Sequence, residues 1–282
     1  MPVAVITDST AYLPSGWAAK YGISVVPVQV VVAGQPYDET EDQQAARVVE
    51  ALEQWHPVTT SRPSPERFFE CFRSAQEAGA TSIVVATLSA AMSATYESAL
   101  LAAKECTIPV RVIDSRSIAM GLGFAVISGA EAARLGANEF DVTSIIERRA
   151  EASRVFFYVD TLEYLRRGGR VSSTRAVVGQ ALKVKPLLQL VDGHVQQVDK
   201  VRTASKALAR LADLAVEAVG DAEVDIAVQH LSAPERAQQL VDMLQERLPA
   251  ATIVQCPVGG VVGAHVGPGM VAVVVAPKVD WL

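Results

Sequence analysis

The sequence predicts an α/β protein in two parts, an N-terminal unit with a parallel sheet and a C-terminal unit with a mixed sheet. Two observations carry this. Short aliphatic runs alternate with longer amphipathic ones through the first half of the chain, the pattern of strand–helix–strand units. Farther on, Pro186–Val191 and His194–Val198 flank Asp192-Gly193, a two-residue hairpin signal that requires antiparallel strands. Val3–Thr7, Ile23–Val32, Ser82–Thr87 and Val110–Ile113 read as strands, and their continuous β-branched runs suit strands covered on both faces. Between them Pro65–Ala78, Thr95–Lys104 and Ser117–Leu135 read as helices. Ser64-Pro65-Glu66 supplies an N-cap hydroxyl, proline at the first helical position and an acid in the first turn. After the charged helix Thr143–Ser153 come a strand at Val155–Val159, a further helix and a basic loop, Arg166-Arg167-Gly168-Gly169-Arg170. Helices at Ala204–Ala218 and Pro234–Leu248 and strands at Val224–Val228, Thr252–Val258 and Met270–Ala276 complete the chain. The texture changes near residues 153–160, which divides the chain into units 1–155 and 156–282.

Thr252 to Pro277 is a stretch of 26 residues without Asp, Glu, Lys or Arg. Its length and apolarity resemble a membrane span, which needs about 20 residues. Pro257, Gly259, Gly260, Gly263, Gly267, Pro268 and Gly269 break it, so it reads as buried strand, irregular glycine-rich turn and buried strand, with His265 held at the turn.

Composition narrows the function classes. Of 282 residues half are hydrophobic and a fifth charged, enough for a large core. A net charge of −6 argues against a nucleic-acid or anionic-membrane binder. Cys71, Cys106 and Cys256 are odd in number and widely spaced, and read as reduced core thiols. The N-terminus runs directly into a strand pattern with no basic leader, so a cytoplasmic location is expected. Without heptads or an apolar stripe, a monomer is expected.

Several segments carry chemistry-bearing residues. Thr59-Thr60-Ser61-Arg62-Pro63-Ser64 puts hydroxyls before a helix start, where free N–H groups suit a carboxylate or phosphate; simple capping is the commoner use of such residues. Thr87-Leu88-Ser89 through Ser93-Ala94-Thr95-Tyr96 repeats the design at a strand end, where open α/β sheets bind ligands. Asp8-Ser9-Thr10 and Asp114-Ser115 also follow strands, and singly read as turn and cap residues. Walker, dinucleotide, zinc-protease and nucleophile-elbow motifs are absent. His56, His194 and His230 have no ligand spacing, so no metal and no cofactor is expected. Arg202, in Lys200-Val201-Arg202-Thr203, reads as an exposed strand-end charge or as an anion partner.

Taken in order, these segments resemble the DegV family of bacterial fatty-acid-binding proteins. Val5-Ile6-Thr7-Asp8-Ser9-Thr10, Thr60-Ser61-Arg62-Pro63-Ser64, Ser89 to Tyr96, Val112-Ile113-Asp114-Ser115 and Asp160 to Arg170 are similar to its motifs, as are Lys185-Pro186, Lys200 to Thr203 and His265 to Gly269. The resemblance spans the chain and implies a two-domain DegV-like fold that buries one long-chain fatty acid. It further implies a non-catalytic lipid-binding subunit that presents the carboxylate to a separate ATP-binding fatty-acid kinase subunit, the acyl phosphate then entering phospholipid synthesis. By the same resemblance Thr60, Ser61, Ser93 and His265 bind the carboxylate, Arg202 and His265 face the phosphoryl group or the kinase, and Ser89, Thr95, Gly267 and Gly269 support them. Burial of the tail contributes about 0.8 kcal/mol per methylene, whereas the carboxylate must be met by donors.

The chain departs from the family pattern at Ala90, Ala91 and Ala94, where glycine or serine is common, and at Arg62 and Ala264. Alanine is disfavoured at positive φ, so an altered loop is expected at the first three, and Arg62 would add positive potential beside the carboxylate. The alternative readings are a stand-alone fatty-acid carrier or sensor, an acyl-transfer enzyme using Ser93 and His265, and a phosphate binder resembling dihydroxyacetone kinase subunits.

Overall fold

A computed structural model describes residues 2–40, 43–171 and 184–280. Strands β1 (Val3–Asp8), β2 (Ile23–Val26), β6 (Ser82–Thr87) and β7 (Val110–Asp114) form a parallel sheet in the order β2-β1-β6-β7. Every residue of β6 is buried because helices cover both faces. Ile6, Ile83 and Val85 pack on one side with Phe68 and Phe72 of α3 (Pro65–Glu77) and with Ala99 and Ala102 of α4 (Thr95–Ala103). Val5, Val84 and Ala86 point the opposite way, toward α5 (Met120–Arg134) and α6 (Glu139–Ala152). This two-sided burial is why these strands lack polar alternation.

The second sheet has the order β10-β9-β8-β13-β11-β12, built from β8 (Arg154–Tyr158), β9 (Lys185–Val191), β10 (His194–Val201), β11 (Val224–His230), β12 (Thr252–Pro257) and β13 (Val271–Pro277). Only β11 and β12 pair in parallel; the other four pairs are antiparallel. Phe156, Tyr158, Leu187, Ile226 and Val273 face α8 (Ala204–Val219) and α9 (Pro234–Arg247). Val155, Ala227, Val274 and Ala276 face inward and share one core with α5, α6 and the parallel sheet. The order across the molecule is therefore helices, parallel sheet, helices, mixed sheet, helices. Twelve of the fifteen residues of α5 are buried, which a helix hydrophobic all round requires when sheets flank it on both sides.

A third, three-stranded antiparallel sheet was not foreseen. It comprises β3 (Gln29–Val32), β4 (Gln35–Asp38) and β5 (Val58–Ser61) in the order β4-β3-β5. The expected single strand Ile23–Val32 is in fact two strands in different sheets. Pro27 has no N–H for a ladder, and the chain leaves the parallel sheet there. Against this small sheet pack α2 (Gln43–Glu53) and α10 (Gly260–Val266), through Val28, Val30, Val48, Leu52, Val261 and Ala264. The remaining helices, α1 (Trp17–Tyr21) and α7 (Glu163–Arg167), are one turn each. Gly260–Val266 is a helix, not the irregular turn its glycines led one to expect, and it ends where Gly267 takes φ 74°. Among the described residues no helix is long and apolar enough to cross a membrane.

The hairpin at Asp192-Gly193 forms as expected, with φ of 48° and 78° at the two turn residues. Elsewhere a buried arginine ties the helical layer to the mixed sheet: Arg149 of α6, 5% exposed, donates to Ser128 of α5 and to the carboxylate of Asp225. Removing that carboxylate strands a guanidinium in the core. Asp225→Ala should therefore lower stability by about 3 kcal/mol in urea titrations, with little change when Arg149 is also replaced by methionine.

Candidate functional site

A cavity of about 350 Å³ lies between the inner face of the mixed sheet and α10, within the range of about 300–1,000 Å³ common for small-molecule sites. Val155 and Phe157 of β8, Leu190 of β9 and Val195 of β10 line it from the sheet. Val261, Val262 and Val266 of α10 face them, and Leu88, Ile118, Ala119 and Met270 complete an aliphatic enclosure.

Six polar residues also line it, Thr60, Ser61, Arg62, Ser93, Arg170 and His265. Short contacts link them at one end. Thr60 Oγ1 lies 3.0 Å from His265 Nε2. Thr60 can reach it because β5 alternates: Val58 and Thr60 turn inward, whereas Thr59 and Ser61 are exposed. The Ser61 hydroxyl donates to the Arg62 carbonyl at 3.4 Å. Ser93 Oγ, just before α4, pairs with Thr95 Oγ1 at 2.9 Å. Arg170 Nε donates to the Met92 carbonyl at 3.1 Å, and Arg62 Nη1 approaches the Ala94 carbonyl at 3.4 Å. Two guanidinium groups thus straddle Ser93. Arg170, the last residue of the basic loop, is half-buried and lines the cavity. Its neighbours in sequence gave no sign of this, because the loop turns inward only where Gly168 meets α10.

Gly168 packs directly on the imidazole: a Cβ there would lie 2.1 Å from His265 Nδ1. That nitrogen is buried and without a hydrogen-bond partner among the described residues. Burial, then the nearby Arg170 charge, pushes the His265 pKa down to about 4. The ring is therefore neutral at physiological pH, and the fixed positive charge here belongs to the half-buried Arg170 and the exposed Arg62.

Other expected residues are placed differently. Ser89 is fully buried and donates to the Gly193 carbonyl at 2.9 Å, so it fastens the β9–β10 hairpin and lies outside the cavity lining. Thr95 is buried beneath Ser93. Gly267 sits against the Tyr164 ring and Gly269 beside Asp160 and Arg236, both shaping the turn after α10. Arg202 is exposed beyond β10 and outside the lining. The register puts it beside Lys185: Val201 pairs with Lys185, whose Nζ is 2.6 Å from Asp160, at the end of the β9–β10 hairpin opposite the Gly193 turn that Ser89 fastens. Asp8 is buried and accepts from the N–H groups of Thr10 and Leu88 at 3.0 and 2.8 Å, so it joins two strand ends. Asp114 likewise accepts from Ala90 N and Arg116 N. None of Ala90, Ala91 and Ala94 has positive φ, so the loop accommodates alanine there without backbone strain.

The arrangement suits a ligand with one anionic end and a long apolar body. It does not suit a Ser–His nucleophile, because the Ser93 hydroxyl pairs with Thr95 and His265 with Thr60. No group of three metal-ligating side chains occurs among the described residues.

Two outcomes follow from the imidazole. Unfolded, His265 takes a proton near pH 6.5; folded, it resists until about 4. The unfolded state therefore binds more protons within this window, and about 3 kcal/mol of stability should be lost as pH falls from 6.5 to 4. Urea titrations across that range should show a shallower decline in His265→Gln. Gly168→Ala should displace the ring and break its bond to Thr60, lowering stability by about 1–3 kcal/mol.

Comparison with known proteins places the chain. Residues 2–278 match the family described as "Uncharacterised protein, DegV family". A DegV domain-containing protein of Streptomyces coelicolor is 47% identical over 277 residues, covering 98% of this chain and 99% of its own. Among solved structures, a Thermus thermophilus DegV family protein described by its fatty acid binding aligns with a TM-score of 0.92 at 28% identity, covering 99% of this chain and 100% of that one. DegV of Bacillus subtilis, described as a fatty acid binding protein, aligns at 0.90 and 29%, with the same coverage. With that extent of match in both sequence and fold, this chain is a member of the DegV family.

Proposed function

We propose that this protein binds one long-chain fatty acid, its tail among the aliphatic walls and its carboxylate at the end formed by Thr60, Ser93, Arg170 and His265. One observation carries the reading: fixed positive charge, half-buried on Arg170 and exposed on Arg62, sits with hydroxyls in the lining of an otherwise apolar cavity. An anionic head is attracted to that charge, and each buried methylene adds about 0.8 kcal/mol. The fatty-acid-binding relatives support the same ligand class. Ser61 and Arg62 stand at the exposed side of the head-group end.

We further propose that the protein has no catalytic activity alone and works in the cytoplasm, as a monomer, with a separate ATP-dependent kinase subunit. The hydroxyl-rich loops would come from residues 1–155, and the His265-Val266-Gly267-Pro268-Gly269 segment from 156–282. Arg202, exposed just beyond β10, and His265 would then meet the partner or the transferred phosphoryl group. Reconstitution of delipidated protein with candidate ATP-binding subunits tests this: Arg202→Ala and His265→Ala should both reduce acyl-phosphate formation, and no product with any subunit would favour a stand-alone carrier.

Native mass spectrometry of purified protein should show one bound long-chain acid; a protein that neither co-purifies with nor takes up such an acid would defeat the reading. Wild type should prefer a fatty acid over the alcohol of equal chain length. Arg170→Ala should reduce that preference by roughly 10- to 100-fold, the loss of a charge-assisted hydrogen bond worth about 1.5–3 kcal/mol.

A further inference from the structure

The helix that carries His265 begins at an unusual anchor. Glu39 follows β4 and is only 7% exposed. Its Oε1 accepts from the Val261 N–H at 2.8 Å and from the Tyr12 hydroxyl at 3.0 Å, and its Oε2 accepts from the Ser9 hydroxyl at 2.7 Å. The Tyr12 oxygen in turn accepts from the Val262 N–H at 3.0 Å. Two of the free N–H groups at the start of α10 are thus satisfied by side chains more than 200 positions away, while its own N-cap, Gly259, has no side chain to offer. The approach is close enough that a Cβ on Gly259 would lie 2.3 Å from Glu39 Oε1 and 2.7 Å from the Tyr12 ring.

The other end of α10 is tied to the same small sheet, since His265 meets Thr60 of β5. In that sheet β3 separates β4 from β5, with Val30 opposite both Tyr37 and Thr60. The outer strands are therefore two spacings apart, about 9.5 Å. A helix of seven residues at about 1.5 Å per residue spans about 10 Å. The helix length matches the sheet width, and α10 lies as a strut from Glu39, just after β4, to Thr60 of β5, packing on β3 and β5. Its internal hydrogen bonds, Gly263 N to Gly259 O at 3.0 Å and Gly267 N to Gly263 O at 2.9 Å, pass any displacement of its start on to its end.

We propose that Glu39 and Tyr12 are positioning residues for His265, holding the start of α10 so that the imidazole at its end reaches Thr60 and the head group. The affinity arm of the test rests on the fatty-acid reading; the spectroscopic arm does not. Full-length, delipidated Glu39→Ala, Glu39→Gln and Tyr12→Phe would be labelled with ¹⁵N-histidine. The chain has four histidines, so His265→Gln assigns the resonance. In Glu39→Ala the ring-nitrogen shifts of His265 should move toward those of the exposed His56, and palmitate affinity should fall at least tenfold. Glu39→Gln keeps an acceptor for the Val261 N–H and should restore both; Tyr12→Phe should fall between. Unchanged His265 shifts in folded Glu39→Ala overturn the proposal, whatever happens to the melting temperature. If that variant does not fold, unchanged shifts in Tyr12→Phe overturn it instead. Moved shifts in a protein whose wild type binds no palmitate would leave the strut standing and remove the fatty-acid reading.

Discussion

A charge at the end of an aliphatic cavity must be held in place and shared with hydrogen-bonding groups, and Arg170 imposes that constraint on everything near it. Its guanidinium is tied to the carbonyls of Met92 and Gly168, one from the parallel-sheet half and one from its own loop. Its field, added to burial, keeps the neighbouring imidazole neutral, so no further charge is added beside Arg170 and Arg62. The hydroxyls of Thr60 and Ser93 adapt as donors or acceptors, so they can meet a carboxylate without carrying charge themselves.

The layering explains how such an end can exist within so apolar a molecule. Helices α5 and α6 fill most of the space between the two large sheets, and near β8 and β9 the space is instead walled by α10 and the loop after β6. The strand residues that line the cavity are ordinary inward positions, with the alternation that any covered sheet shows. The polar lining residues come from four separate places in the chain, β5 and the residue after it, the start of α4, the loop after α7 and the end of α10. Each is fastened by contacts distant in sequence, such as Thr60 with His265 and Arg170 with Met92.

Much of the secondary structure was legible locally. Asp192-Gly193 specified its hairpin because both residues tolerate left-handed backbone, and Pro65–Glu77 began where Ser64 and Pro65 said it would. The cap itself acts otherwise than expected, since Ser64 makes no side-chain bond to the helix backbone. Ile23–Val32 misled because one aliphatic run serves two sheets on either side of Pro27. Gly260–Val266 misled because its glycines oppose a helix, while the compensating Glu39 and Tyr12 lie far away in sequence. Ser89 and Ser93 look alike in a list of hydroxyls, yet one fastens a hairpin and the other lines the cavity.

Local propensity and motif order were enough to determine the class of fold, the family and most of the polar residues at the site, because strand periodicity, capping residues and turn residues act over a few positions. Only the tertiary structure decided that Arg170 turns into the cavity lining, that His265 is neutral, and that α10 is a helix at all. Those properties depend on burial and on hydrogen bonds between residues as far apart as Tyr12 and Val262, and no local pattern encodes either one.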